Sequence, residues 1–376
     1  MASPAVAPAT ALESFAQATT IPAAFVWPEL QKSDAGRVEK QPVMDIPTVD
    51  LSLFRRTTTT STSNADSTTT ALAADQQLVA ALQLAGRAAS TMGFFHVVNH
   101  GVDASLVEAA HRHSERLFSL PLERKQMAKR LPGESFGYSS SFAERFSSRL
   151  PWKETFSAQS TPVSTIAHYC ELVLGDDDEH LHASSSTFEK YCEAMAKIGF
   201  EVLEVLELAL GVQRGTLQRY FEDYSSILRL NYYPSCRQPS LTFGTGPHTD
   251  PVGLTILHQD EVAGLQVLYD DTWYTVPPRK DAFFINIGDT LMALSNKRFK
   301  SGVHRALVNS FAGRKSMAFF FNPPYEATLS PPEELVDESN PRAYQDFTWG
   351  KLLYFTQSVY RTGVNSIDDF NEWQSK

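Results

Sequence analysis

Cysteine is scarce in this 376-residue chain: Cys170, Cys192 and Cys236 are the only three, and no two share a C-x-x-C spacing. An odd, sparse set builds no disulfide framework, so a reducing compartment fits best. Basic residues are also in the minority, 33 against 43 acidic, with a formal net charge of -10 and a pI near 5.5. Nucleic acid binding needs a counterion-releasing basic face, and that partner class is not expected. Long apolar runs are missing too: no stretch of about 18 residues is free of charge, which argues against a membrane span. The opening MASPAVAPATALESFAQATT has no arginine and no basic start, and it contains Glu13. That matches neither a secretory signal nor a transit peptide, and the expected location is cytoplasmic.

What remains is an ordinary globular composition, 42% hydrophobic and 20% charged, long enough for a sizeable core. Residues 1–24 read as a disordered tail, and the threonine-rich stretch at 57–70 as a surface insertion, because neither can bury apolar area. MDIPTVDLSLF and GFFHVVNHG suit strands. Helical spacing is expected over Ala71–Ala89, Ala104–Phe118, Leu122–Lys129 and Thr187–Leu210, the last capped by Gly211. After Ser225 the texture changes to short β-rich runs (ILRLNYY, GLTILHQ, GLQVLY, TWYTVP, AFFINI, HRALVN, SMAFFF) separated by turn residues. That pattern predicts a β-sandwich or barrel over 225–330, after a mostly helical region at 25–224. A helical segment closes the chain at 331–376, with a helix over Trp349–Tyr360 and Gly363 as its stop.

The chemistry begins with GPHTDP. On extended backbone, residues i and i+2 face the same way, so His248 and Asp250 can reach one ion together. A third candidate, His304, lies in SGVHRALV near the start of a later strand. Two imidazoles and a carboxylate on one face of an octahedron form the facial triad of non-haem Fe(II) oxygenases. On the ligands alone, zinc is still open. Ten residues past His304 stands Arg314, followed by Lys315 and Ser316. An arginine directed into the same interior is costly unless it meets an anion. A diacid chelating the metal at one end would offer its far carboxylate as that partner, and Ser316, facing the same way, would add a hydrogen bond. A hydrolytic zinc site needs no such anchor, and the balance moves to iron.

These motifs carry a resemblance. NYYPSC (231–236), GTGPHTDP (244–251), LTILHQDEVAGLQV (254–267), INIGDTLMALSN (285–296), HRALVN and RKS resemble the plant 2-oxoglutarate/Fe(II)-dependent dioxygenases. FVWP (25–28) and LPWKET (150–155) look like the gibberellin 20-oxidase branch. The resemblance implies an α+β fold: a double-stranded β-helix (jelly-roll) core with flanking N-terminal helices and a C-terminal helix. It implies Fe(II), with 2-oxoglutarate and O2 as co-substrates and ascorbate as reductant. Tyr233 and Asn231 are then expected beside 2-oxoglutarate. Where the branch usually reads GTGPHCDPTSLTILHQD, this chain has Thr249, Val252 and Gly253, a change that bears on pocket shape and not on the ligands.

The implied reaction takes the C-20 methyl of a C20 gibberellin through alcohol and aldehyde to a C19 gibberellin. An apolar diterpenoid acid wants aromatic walls and a cation. Phe142, Phe146, Trp152 and Phe321 are candidates for the walls, and Arg145, Arg149 and Lys153 for the charge. The competing expectations are the same chemistry on another substrate (a gibberellin 3- or 2-oxidase, or a flavonoid oxidase), a zinc hydrolase, and a non-catalytic gibberellin-binding module. Other histidines are read as structural: His111 and His113 face apart on a helix, and His96 and His100 belong to core and turn.

Overall fold

Alternating and β-branched runs dictate most of the scaffold. The computed structural model describes residues 20–31, 41–55, 68–131, 133–143, 148–175, 179–359 and 366–376. From the first half of the chain come β1 (Thr48–Asp50), β2 (Phe94–Val98), β3 (Gly137–Ser140) and β4 (Glu154–Thr161). The second half adds β5 (Ser225–Tyr233), β6 (Thr245–His248), β7 (Leu254–Gln259), β8 (Leu265–Tyr269) and β9 (Thr272–Thr275). It ends with β10 (Phe283–Ile287), β11 (His304–Ala306) and β12 (Arg314–Asn322). Eight strands form one sheet in the order β1-β2-β10-β7-β12-β5-β4-β3, and β6-β11-β8-β9 form a second. Only β1–β2 is parallel in these two sheets. The architecture is a double-stranded β-helix whose two sheets do not close into one barrel.

Register decides which side chains enter the space between the sheets. β12 pairs with both β5 and β7, placing Arg314 opposite Tyr233, and Ser316 opposite both Asn231 and Gln259. Successive residues of a strand alternate faces. Arg314, Ser316, Ala318 and Phe320 therefore share one face with Arg229, Asn231, Tyr233 and Gln259. Met317, Phe319 and Phe321 take the other, beside Leu228, Leu230 and Ile256, all fully or nearly fully buried.

Helices cover that second face. They are α1 (Thr68–Thr91), α2 (Ala104–Ser119), α3 (Ile166–Leu174) and α4 (Leu181–Leu210). In α4 the stripe Phe188, Tyr191, Met195, Ile198, Val202 and Leu206 recurs at three- and four-residue spacing and is wholly buried. Each such side chain contributes roughly 1.5–3 kcal/mol by leaving water. The helix stops at Gly211, whose φ of 74° suits a residue without a Cβ. Buried Glu207 then accepts from the Gly215, Leu217 and Gln218 amides, fixing the turn that leads to β5. Three shorter helices follow: α5 (Asp289–Leu294), α6 (Trp349–Tyr354) and α7 (Ser366–Gln374).

Several expectations shift. The large sheet is not confined to the second half, since β1 to β4 extend it. β3 and β4 escape notice in the sequence because GYSS and ETFSAQST put serine and threonine where alternation would show apolar residues. α3 was not expected, and α4 begins earlier than Thr187. Order starts before Phe25, because Ile21 is buried against Phe25 and Trp152. The C-terminal segment holds two helices, α6 passing into a π-helical turn at Phe355–Val359. Residues 1–19 and 56–67, and Gly363, lie outside the described residues.

Candidate metal centre and co-substrate site

β6 and β11 are antiparallel neighbours that set His248 directly opposite His304. Their ring centroids are 4.2 Å apart. Asp250, two residues beyond His248, is 7% exposed and completes the group. Its Oδ1 lies 3.5 Å from His248 Nε2 and its Oδ2 3.6 Å from His304 Nε2. One ligand atom from each residue falls within 4.8 Å of the others, and no other such group of His, Cys, Asp or Glu occurs among the described residues.

Surrounding groups orient the three. His248 Nδ1 is 2.9 Å from the Gly246 carbonyl and His304 Nδ1 is 3.1 Å from the Gly302 carbonyl. A carbonyl only accepts, so each Nδ1 carries the proton and each Nε2 turns its lone pair to the centre. The Thr255 hydroxyl donates to Asp250 Oδ2 at 2.6 Å. Burial, reinforced by the neighbouring His304, pushes His248 down to about 4, so it is neutral and ready to ligate. Burial alone would raise Asp250, but the two imidazoles and the Thr255 hydroxyl outweigh it and keep the carboxyl below its usual range. Two imidazoles that present Nε2 and one buried carboxylate make an N,N,O set, with Asp250 and His304 buried and His248 partly exposed, and it fits a facial Fe(II) site.

The second half of the site sits on β12. Arg314 is 2% exposed, its guanidinium 5.0 Å from the centre of the Tyr233 ring. Its Nη2 donates to Gln259 Oε1 at 2.7 Å, while Nε and Nη1 are buried without a partner. Gly264 makes room for it: a Cβ there would stand 2.8 Å from Arg314 Cδ. Asn231 Nδ2 donates to Ser316 Oγ at 3.4 Å, and Asn231 Oδ1 is another buried orphan. The Tyr233 hydroxyl reaches Thr245 Oγ1, at 3.4 Å, on the strand that carries His248. Unsatisfied buried donors are costly, and this arrangement suits a small diacid.

The substrate candidates divide. Lys153 is 4% exposed, donates to Thr245 Oγ1 at 3.0 Å and lies 4.8 Å from the centre of the Phe142 ring. Burial and the neighbouring Arg229 and Arg130 hold its ammonium well below the usual lysine range. Phe142 therefore stands within a ring of cations, with Arg130 at 5.2 Å and Arg229 at 6.0 Å. Trp152 is not brought to this space: its Nε1 donates to the Pro234 carbonyl and its ring packs edge-on to Phe25. Phe321 is also misplaced as a wall. It faces the helices, against Phe200, Phe221 and Tyr224, because it has the opposite strand parity to Arg314. Arg149 is exposed on a turn. Arg145 and Phe146 lie outside the described residues.

Sequence reasoning missed Thr255, Gln259, Arg229 and Phe320, all on inward-facing positions. Counting alternate residues from Arg314 would have found Phe320. The Asp289 carboxylate is 1% exposed, raised to about 6 by burial, and accepts from Thr249, whose hydroxyl therefore turns toward α5 and α7. His111 and His258 pair ring to ring at 2.8 Å on the helix side of the sheet.

Comparison with known proteins gives the family. Residues 224–323 match the model of the 2OG-Fe(II) oxygenase superfamily, and residues 46–172 that of the non-haem dioxygenase in morphine synthesis N-terminal region. The chain is 45% identical over 356 residues to gibberellin 20 oxidase 1-B of Triticum aestivum, covering 94% of this chain and 91% of that one. With gibberellin 20 oxidase 3 of Arabidopsis thaliana it is 44% identical over 361 residues, covering 94% and 89%. Among solved structures, JOX2 in complex with 2OG, Fe and JA superposes with a TM-score of 0.78 at 29% identity, covering 97% of this chain and 98% of that one. The rice dioxygenase for auxin oxidation gives 0.66 at 25% identity, covering 86% and 99%.

Proposed function

This chain belongs to the 2OG-Fe(II) oxygenase superfamily, in its gibberellin 20-oxidase family, and from that premise we propose its reaction. The substrate is a C20 gibberellin, oxidised at the C-20 methyl through alcohol and aldehyde to a C19 gibberellin. The observation that carries this reading is the grouping of His248, Asp250 and His304 around one point, together with the buried, partnerless Nε and Nη1 of Arg314 on the inward face of β12.

Iron(II) held by the triad, together with 2-oxoglutarate and O2, supplies oxidative decarboxylation to succinate and CO2 and the power to oxidise a C–H bond. The chain's own residues do the rest. His248, Asp250 and His304 hold the metal, and the Gly246 and Gly302 carbonyls keep both imidazoles in the ligating tautomer. Arg314 and Ser316 take the far carboxylate of 2-oxoglutarate, with Tyr233 and Asn231 beside it. Lys153, buried and with no carboxylate partner among the described residues, would receive a substrate carboxylate across the Phe142 ring, and Phe320 lines the same inward face.

Ascorbate serves as the reductant that keeps the metal ferrous. The cytosol suits Cys170, Cys192 and Cys236, which are buried free thiols. No helix among the described residues is long and apolar enough to cross a membrane.

The test is incubation with a C20 gibberellin, Fe(II), 2-oxoglutarate and ascorbate, read by mass spectrometry. Sequential alcohol, aldehyde and C19 products are expected. Unchanged C20 gibberellin alongside turnover of a C19 gibberellin or a flavonoid would reject the substrate assignment.

A further inference from the structure

Resting on the reading of Arg314 as the 2-oxoglutarate anchor, we propose that Gln259 is a positioning residue for that arginine, and that its neutrality is the property that matters. Gln259 ends β7, directly across from Ser316 on β12. It is 6% exposed, and its Oε1 accepts from Arg314 Nη2 at 2.7 Å. Among the described residues no other hydrogen bond to a side chain holds the guanidinium, and its Nε and Nη1 have no partner.

A buried guanidinium can be held by a carboxylate or by a neutral acceptor. A carboxylate holds it more strongly, but cancels the charge that a ligand must find and competes for the same donors. An amide oxygen fixes orientation through one hydrogen bond and leaves the full positive charge available. The chain has a carboxylate at the next position, Asp260. Its oxygens are turned aside, Oδ2 to the Lys315 amide at 2.7 Å and Oδ1 to the Val262 amide at 3.1 Å. Strand alternation thus turns the amide to Arg314, while the acid, near enough to feel the guanidinium through space, gives its hydrogen-bonding capacity to backbone amides. Ring contact with Tyr233 on one side and the glycine at 264 on the other leave the side chain no other anchor of this kind.

This separates two effects that a merely structural Gln259 would tie together. Gln259→Glu forms an ion pair with Arg314, so the protein should melt no lower than the parent, yet bind 2-oxoglutarate at least about 30-fold more weakly. Gln259→Met removes the hydrogen bond and should weaken 2-oxoglutarate by about tenfold, the scale of one hydrogen bond to a charged group. In both, KM for the gibberellin should stay within about twofold of the parent.

The experiment titrates 2-oxoglutarate into the full-length Mn(II)-loaded protein by calorimetry, and measures both KM values and the melting temperature for each variant. Gln259→Met is also placed in an Arg314→Met background, where it should add no further loss if it acts through the arginine. Parental 2-oxoglutarate affinity in Gln259→Glu, or a loss that tracks the melting temperature, would overturn the inference while leaving Arg314 in its role. Unchanged affinity in Arg314→Met alone would overturn both. Because Gln259→Glu keeps a partner for the guanidinium, it tests the idea even if Gln259→Met folds poorly.

Discussion

Replacing Phe321 by alanine should cost stability and leave substrate recognition alone. Phe321 is 0% exposed; it stacks on Phe221 at 5.1 Å and meets the edges of Phe200 and Tyr224 at 5.0 Å each. α4 approaches so closely that a Cβ on Gly199 would stand 2.8 Å from the ring. A buried phenylalanine removes roughly 150–250 Å² from water, about 4–6 kcal/mol at 25 cal/mol per Å². Measured truncations of this kind cost about 3–5 kcal/mol, since surroundings relax only partly into the cavity. A loss of about 4 kcal/mol is therefore expected for Phe321→Ala, seen as a urea midpoint lower by about 1 M. KM for the gibberellin should not move. Phe320→Ala is the matched control. Its side chain turns inward, 5.0 Å from the Arg229 guanidinium, so it should raise KM for the gibberellin by about tenfold, with a smaller stability loss. The face assignment fails if Phe321→Ala changes KM with an unaltered urea curve, or if Phe320→Ala leaves KM untouched.

Other consequences can be checked in parallel. His304→Ala should weaken Mn(II) or Fe(II) binding by more than about 100-fold, and Thr255→Val, which unhooks Asp250, by about 10- to 100-fold, both by metal titration; unchanged affinity in either would contradict the site. Lys153→Met should raise KM for the gibberellin by about tenfold and leave that for 2-oxoglutarate in place; an equal effect on both would move Lys153 to the co-substrate. Stability should fall on acidification, because burial pushes His96 down to about 4 and His111, beside His258, down to about 3. Unfolded histidine takes a proton near 6.5, so this contribution is complete above that pH and drains as pH falls toward 4. By pH 4.5 the loss is on the order of 2 kcal/mol for each histidine. Identical urea midpoints at pH 7 and 4.5 would refute it.

Much of the site was legible before any fold was known. The i, i+2 spacing of His248 and Asp250, the later His304, and Arg314 with Ser316 define a metal and an anion anchor from the chemistry of the side chains. The β-rich runs after Ser225 announced the strands of the core, because alternation and β-branching are local properties. Facing, by contrast, is not local. Arg314 and Phe321 lie in one strand, and only its pairing with β5 and β7 sets the odd positions against α4 and the even ones into the cleft. The same pairing selects Gln259 over Asp260. Lys153 reaches the cleft while adjacent Trp152 does not, because β4, a strand of serines and threonines with little apolar signal, joins the sheet beside β5. Sequence by itself determined which groups could bind iron and a diacid; the tertiary structure decided which neighbours orient them, since those contacts arise between strands far apart in the chain.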